Sequence, residues 1–277
     1  MRIYRFWDFR TVNFDGLTVR FKAGSNTSQA AAAALVDEKI ALYRQFRNSP
    51  NDKAFREAHQ FTSTYETPVC EELIEELDCH NIITRNRHGA LVLNSEDHAF
   101  LDIDFDAPLP SPGLKQKFLE LIGRCPRQTP EERLLERIRQ RINDRFPYKS
   151  FRLYRTFKGF RLVTPAPAEA SSNLMAETMA LFLCDPLYMT LCAKQNCFRA
   201  RLTPKPRRMK MKTALKFTFP CPEEQNAERL EWLNSYEQTA EKFRTCALIA
   251  EFGSPWDSPV IRKHDEICKC SMPLPLA

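Results

Sequence analysis

Phe100-Leu101-Asp102-Ile103-Asp104-Phe105-Asp106 is the stretch whose reading decides the fold. Apolar and acidic residues alternate along it, with the two-residue period of a strand whose faces differ. Leu101, Ile103 and Phe105 are expected to enter a core. Asp102, Asp104 and Asp106 then share the other face at steps of roughly 7 Å. Like charges at that spacing raise one another's pKa unless a cation lies between them. A hard divalent ion, Mg²⁺ or Mn²⁺, is the usual partner of such oxygens. The other reading is a solvated edge face whose charges discourage aggregation.

Around this strand the chain has 277 residues, enough for one large domain or two small ones. A hydrophobic content of 43% with only 7 Gly allows a substantial core and excludes a low-complexity chain. No apolar run approaches the roughly 18 residues of a membrane span, and Met1–Phe9 is charged and aromatic rather than signal-like. Ten cysteines at irregular spacing then imply a reducing, cytoplasmic setting with mostly free thiols. Zinc needs a separate check. Cys268, Cys270 and His264 supply three candidate ligands, Cys192 and Cys197 are loosely spaced, and Cys79-His80 are adjacent, a poor geometry for joint ligation. With no Cys-x-x-Cys pair, structural or free thiols are the better reading.

Upstream, strand-like Arg2–Phe9 and Leu17–Ala23 flank a turn at Asn13–Gly16, and Ser25, Asn26 and Thr27 cap a helix over Ser28–Arg47. A turn at Asn48–Asp52 and helical stretches over Lys53–Phe61 and Cys70–Leu77 follow, then short strands between Asn81 and Leu93 with a turn at Arg85–Gly89. Downstream, Pro108, Pro110 and Pro112 break the chain before a short helix over Gly113–Leu121. Thr129-Pro130-Glu131-Glu132 opens a helix to about Phe146, with Glu136 and Arg139 spaced to pair. Tyr148–Tyr154 and Phe160–Val163 read as hairpin arms, Ser171–Cys184 as a helix, and Glu223–Ala250 as a long helix closed by Gly253. His264-Asp265 falls in a terminal helix, where adjacent side chains face different ways. The pattern is α+β, divided as residues 1–99, 100–220 and 221–277.

Three segments carry candidate chemistry. Asp102 and Asp104 can hold metal, with Asp185 as a third carboxylate; Asp185 before Pro186 is also a natural helix-ending turn. Thr156, Lys158 and Gly159 offer donors to phosphate, and Arg199, Arg201 and Lys205 fall at even spacings on one strand face. Residues 199–216 contain eight Lys or Arg and no acid, so Arg207, Arg208, Lys210 and Lys212 extend a surface suited to nucleic-acid phosphates.

In this order the motifs resemble the catalytic core of the archaeo-eukaryotic primase superfamily, the primase-polymerases. The resemblance spans roughly residues 100–215. It implies a palm, an RRM-like sheet backed by helices, with flanking helical segments. It further implies catalytic, metal-binding acids at Asp102, Asp104 and Asp185, and nucleotide contacts at Arg199 and Lys205, Arg201 being added by its position on the same face. Where the family has a nucleotide-contacting His, this chain has Arg161. The implied activity is Mg²⁺- or Mn²⁺-dependent nucleotidyl transfer with nucleoside triphosphates and DNA or RNA as partners, separate proteins supplying any accessory function. A metal-dependent nuclease and a non-catalytic nucleic-acid- or nucleotide-binding protein are the rival readings.

Overall fold

Two antiparallel four-stranded sheets and a separate hairpin organise the chain in this computed structural model, which describes residues 1–48, 68–107, 128–212 and 219–277. The hairpin pairs β1 (Phe6–Phe14) with β2 (Leu17–Ser25) through Asp15-Gly16, both at positive φ. The left-handed conformation suits these two residues and fits the twist of a two-residue hairpin turn. The turn is therefore tighter than the expected Asn13–Gly16, and Asn13 and Phe14 belong to β1. Helix α1 (Gln29–Asn48) covers the hairpin, burying Ala32, Val36 and Ile40, the last two in a small core with Phe21 and Ala23.

The second sheet has the order β3-β4-β5-β9: β3 (Glu72–Glu76), β4 (Asn81–Arg85), β5 (Leu91–Ser95) and β9 (Phe198–Arg201). The expected helix over Cys70–Leu77 is thus a strand. Its glutamates have good helix propensity, but pairing with β4 and ion pairs of Glu72 with Arg85 and Arg229 override it. The strands expected between Asn81 and Leu93 are β4 and β5.

The third sheet has the order β10-β7-β8-β6, built from β6 (His98–Asp104), β7 (Phe151–Thr156), β8 (Gly159–Pro165) and β10 (Cys246–Phe252). Strands β7 and β8 form the expected hairpin. β10 replaces the last third of the expected long helix: α5 covers only Glu223–Ala240, and the chain then returns to pair with β7. Cys246 and Ala247 are buried there, a contribution that a helix running to Ala250 would have lost.

Helix α2 (Pro130–Arg145) starts at Thr129 with both halves of a capping box, as the sequence requires; Leu134, Ile138 and Ile142 enter the core. Glu136 accepts from Gln140 at 3.1 Å, one turn along. The helix expected over Ser171–Cys184 is shorter, α3 (Asn173–Leu181), and α4 (Pro186–Gln195) follows it immediately. Helix α6 (Pro259–Cys268) is the last helix, after which the chain returns to bridge Arg244 through Leu276. The principal core includes Ile83 and Leu93 of the second sheet, Leu101, Ile103, Leu153 and Leu162 of the third, and Val260 and Ile261 of α6, so all three sequence segments contribute to it. The Asn48–Asp52 turn beyond Asn48, the Lys53–Phe61 helix, the proline break and the Gly113–Leu121 helix lie outside the described residues.

Candidate functional site

Strands β6 and β9 are the edges of their two sheets, and these edges lie side by side. Tyr188 of α4 joins them: its hydroxyl donates to the Phe100 carbonyl on β6 and accepts from the Arg199 backbone N–H on β9 at 3.4 Å. Burial raises the Tyr188 pKa well above its ordinary value, so the phenol stays a donor. The candidate residues gather at this seam.

Asp102 lies directly across from Arg161, and Asp104 across from Gly159, in the antiparallel register of β6 and β8. The Arg161 guanidinium, 1% exposed, donates through Nε to Asp102 Oδ1 at 2.9 Å and through Nη1 to the Arg201 carbonyl at 3.0 Å. Burial opposes the charge on Arg161, but Asp102 together with the nearby Cys246 and Cys268 more than offsets it and raises the pKa. Arg161 is thus a buried cation held against Asp102.

Asp185 caps α4. Its side chain accepts from the Tyr188 N–H at 2.7 Å, and its own N–H reaches the Asp102 carbonyl at 3.4 Å. Asp185 therefore starts a helix rather than ending one as its place before Pro186 suggested, the preceding helix being capped at Phe182, and it sits beside β6. Asp104 feels burial first, then the Asp102 and Asp185 carboxylates, and its pKa is raised. This is the response expected where acids share a site without a neutralising partner.

The opposing charges come from β9 and the 3₁₀ turn Pro206–Met209. Burial and the nearby Arg208 lower the Arg201 pKa to about 10, against the pull of Asp102, and its Nε is buried without a partner. Lys205 is pushed down to about 8 by Arg201, burial and Arg208, with Asp104 and Asp102 acting the other way. Burial likewise lowers Arg208, which stacks 4.8 Å from the Phe157 ring. Acids and bases therefore face one another, each side incompletely neutralised.

Arg199 is placed differently. Although it shares the face of Arg201, it pairs with Glu71 at 2.6 Å and with Gln195 at 3.0 Å. Burial opposes its charge, and Glu71 more than offsets that. Lys158 is exposed at the β7–β8 turn, its carbonyl accepting from Phe105 N–H at 2.9 Å beside Asp104 and Asp106. Thr156 ends β7 opposite Cys246, away from that register. Arg207, Lys210 and Lys212 are exposed beyond the cluster. Glu71, the partner of Arg199, was not marked by any motif. Arg161 opposite Asp102 is readable only once β8 is registered on β6.

The donor set suits Mg²⁺ or Mn²⁺: hard carboxylate oxygens, with the Asp104 pKa raised by burial and by its acidic neighbours. The three aspartates do not converge within 4.8 Å, whereas among the described residues two Cys/His/Asp groups do. The arrangement fits an ion held by one or two carboxylates, with phosphate and water completing its shell, rather than an all-protein cage. The fold and cluster define an α+β protein with opposed acidic and basic groups at the seam of two antiparallel sheets. Comparison with protein-family models, curated proteins and solved structures returned no match. No helix among the described residues is long and apolar enough to cross a membrane.

Proposed function

We propose that this seam binds a nucleoside triphosphate with a divalent cation and transfers its nucleotidyl group to nucleic acid, on a primase-polymerase-like palm formed by β6, β8, β7 and β10. The observation that carries the reading is the confrontation of Asp102, Asp104 and Asp185 with Arg201, Lys205 and Arg208. In the free protein, Asp104 is raised and Lys205 and Arg201 are lowered. A cation relieves the first and a polyphosphate the second, so the two ligands favour each other's binding.

Asp104 and the free lone pairs of Asp102 and Asp185 hold the ion. Arg201 offers its unpartnered Nε–H to a phosphate oxygen, and Lys205 and Arg208 neutralise the remaining charge. Arg207, Lys210 and Lys212 extend the basic surface toward nucleic-acid phosphates. An ion held by these carboxylates would supply Lewis acidity to an attacking 3′-hydroxyl and neutralise charge on the departing pyrophosphate.

Arg161 favours a second reading. Its guanidinium already neutralises Asp102, so a protein that binds nucleotide or nucleic acid without turnover needs no metal at that carboxylate. Nucleoside triphosphate binding with and without Mn²⁺ separates the two, using Asp104→Asn, which leaves the Asp102–Arg161 pair intact. Metal-stimulated binding that is lost in the variant supports nucleotidyl transfer. Metal-independent binding that survives it supports the non-catalytic protein. Cleavage of nucleic acid with no triphosphate present would replace both with a nuclease.

A further inference from the structure

Behind Arg161, on the side away from Asp102, lies a second group of side chains that the proposed chemistry does not use. Cys246 begins β10, Cys268 ends α6, and Cys270 follows after Lys269. Lys269 takes a left-handed conformation (φ 56°), and its N–H and that of Cys270 return to the last turn of α6. This reversal brings the two thiols of a Cys-x-Cys pair to the same place, where Cys246 arrives from the sheet edge.

The exposures of Cys246, Cys268 and Cys270 are 0, 0 and 7%, and their sulfurs all lie within 4.8 Å of one another. Cys246 Sγ and Cys270 Sγ are 3.6 Å apart, and Cys270 Sγ is 3.5 Å from Asp265 Oδ1. A tetrahedral zinc centre with sulfur at about 2.3 Å and oxygen at about 2.1 Å requires S···S edges of about 3.8 Å and S···O edges of about 3.6 Å. These two separations match within a few tenths of an ångström; Asp265 groups with Cys270 but not with Cys246 or Cys268 within 4.8 Å, so its carboxylate must turn to complete the tetrahedron.

We propose that Cys246, Cys268 and Cys270 supply the three sulfurs of a structural zinc site, and that the neighbouring Asp265 carboxylate, which lies against Cys270 alone, turns toward them to supply the fourth ligand. Three features support this choice over a chance gathering of thiols. The site is closed, as structural zinc sites are. Its ligands come from two elements distant in sequence, an edge strand and a helix end, which the metal would tie together. Asp265 is oriented by neighbours of the kind that support metal ligands: His264 Nδ1 lies 2.8 Å from its Oδ1 and Arg152 2.9 Å from its Oδ2. His264 Nε2 is turned to Arg161 at 3.3 Å, so His264 links the zinc site to the buried cation without ligating. Sequence spacing points to Cys268, Cys270 and His264; the third sulfur is hidden because Cys246 lies in a segment that reads as helix.

The test is metal analysis of the full chain, purified under reducing and anaerobic conditions, followed by exchange of the metal for Co²⁺. The expected results are about one zinc per chain and, with cobalt, intense tetrahedral d–d bands and thiolate-to-cobalt charge-transfer absorption. Cys270→Ser should reduce that charge-transfer absorption by about one third, while Cys79→Ser, at an exposed thiol, should leave it unchanged. Zinc removal from the wild type by a chelator should lower Tm reversibly, a readout that does not depend on any variant folding. Protein that retains no zinc and gives no charge-transfer band would overturn the proposal. A Cys246–Cys270 disulfide in metal-free protein would overturn it equally.

Discussion

Arg161 and Asp102 form the one pair in the site whose energetic coupling can be worked out from geometry. Replacing Arg161 by Met keeps most of the volume but removes the donors to Asp102 and to the Arg201 carbonyl. Breaking a buried pair from one side costs about 3–5 kcal/mol, because the partner is left uncompensated. Asp102 is 33% exposed, so water softens that cost, and Arg161→Met should destabilise by about 3 kcal/mol. Asp102→Asn leaves a guanidinium that is 1% exposed. The amide oxygen still accepts from Nε, so this change should also cost about 3 kcal/mol. If the pair is the reason for both losses, the double variant should lose only about 4 kcal/mol, a coupling of about 2 kcal/mol. Urea denaturation followed by circular dichroism at pH 7 measures all four corners, with a constant m-value as the check on comparability. Additivity to within about 0.5 kcal/mol would refute the buried pair.

Two other expectations rest on separate observations. Lys205 titrates near pH 8 in the free protein, and its charged form favours anions, so inorganic triphosphate should bind more weakly as pH rises from 7 to 9. The decrease is bounded by about tenfold per pH unit for one proton; calorimetry should find it in the wild type and not in Lys205→Met, and an equal slope in both would remove Lys205 from the site. Gly159→Ala would bring a Cβ against the Ile103 carbonyl oxygen, a backbone atom that cannot rotate aside. It should cost about 2–3 kcal/mol, read as a lower Tm, and unchanged stability would contradict the β6–β8 register.

The parts of the fold that were legible in the sequence carry their signals locally. The Thr129–Glu132 capping box, the alternation from Leu101 to Asp104 and the Lys158-Gly159 reversal each specify their own geometry. Glu72–Glu76 and Cys246–Phe252 do not. Their composition suits helix, and only pairing with β4 and β7, respectively, makes them strands. The site shows the same division. Alternation exposes the acids of β6 and even spacing groups Arg199 with Arg201, but which arginine meets the acids depends on Glu71, which claims one of them. Likewise, adjacency on a helix argued against a His264–Asp265 contact, yet their side chains meet at 2.8 Å.

The order β10-β7-β8-β6 also has a consequence during synthesis. β7, β8 and β6 are complete once the ribosome has passed residue 165, but Thr156 waits for its partner Cys246. About 90 residues separate them, which at translation speeds means on the order of 5–20 s with the outer edge of β7 open. An open edge is a template for foreign strands. A nascent chain paused in that interval is therefore a natural client for a chaperone.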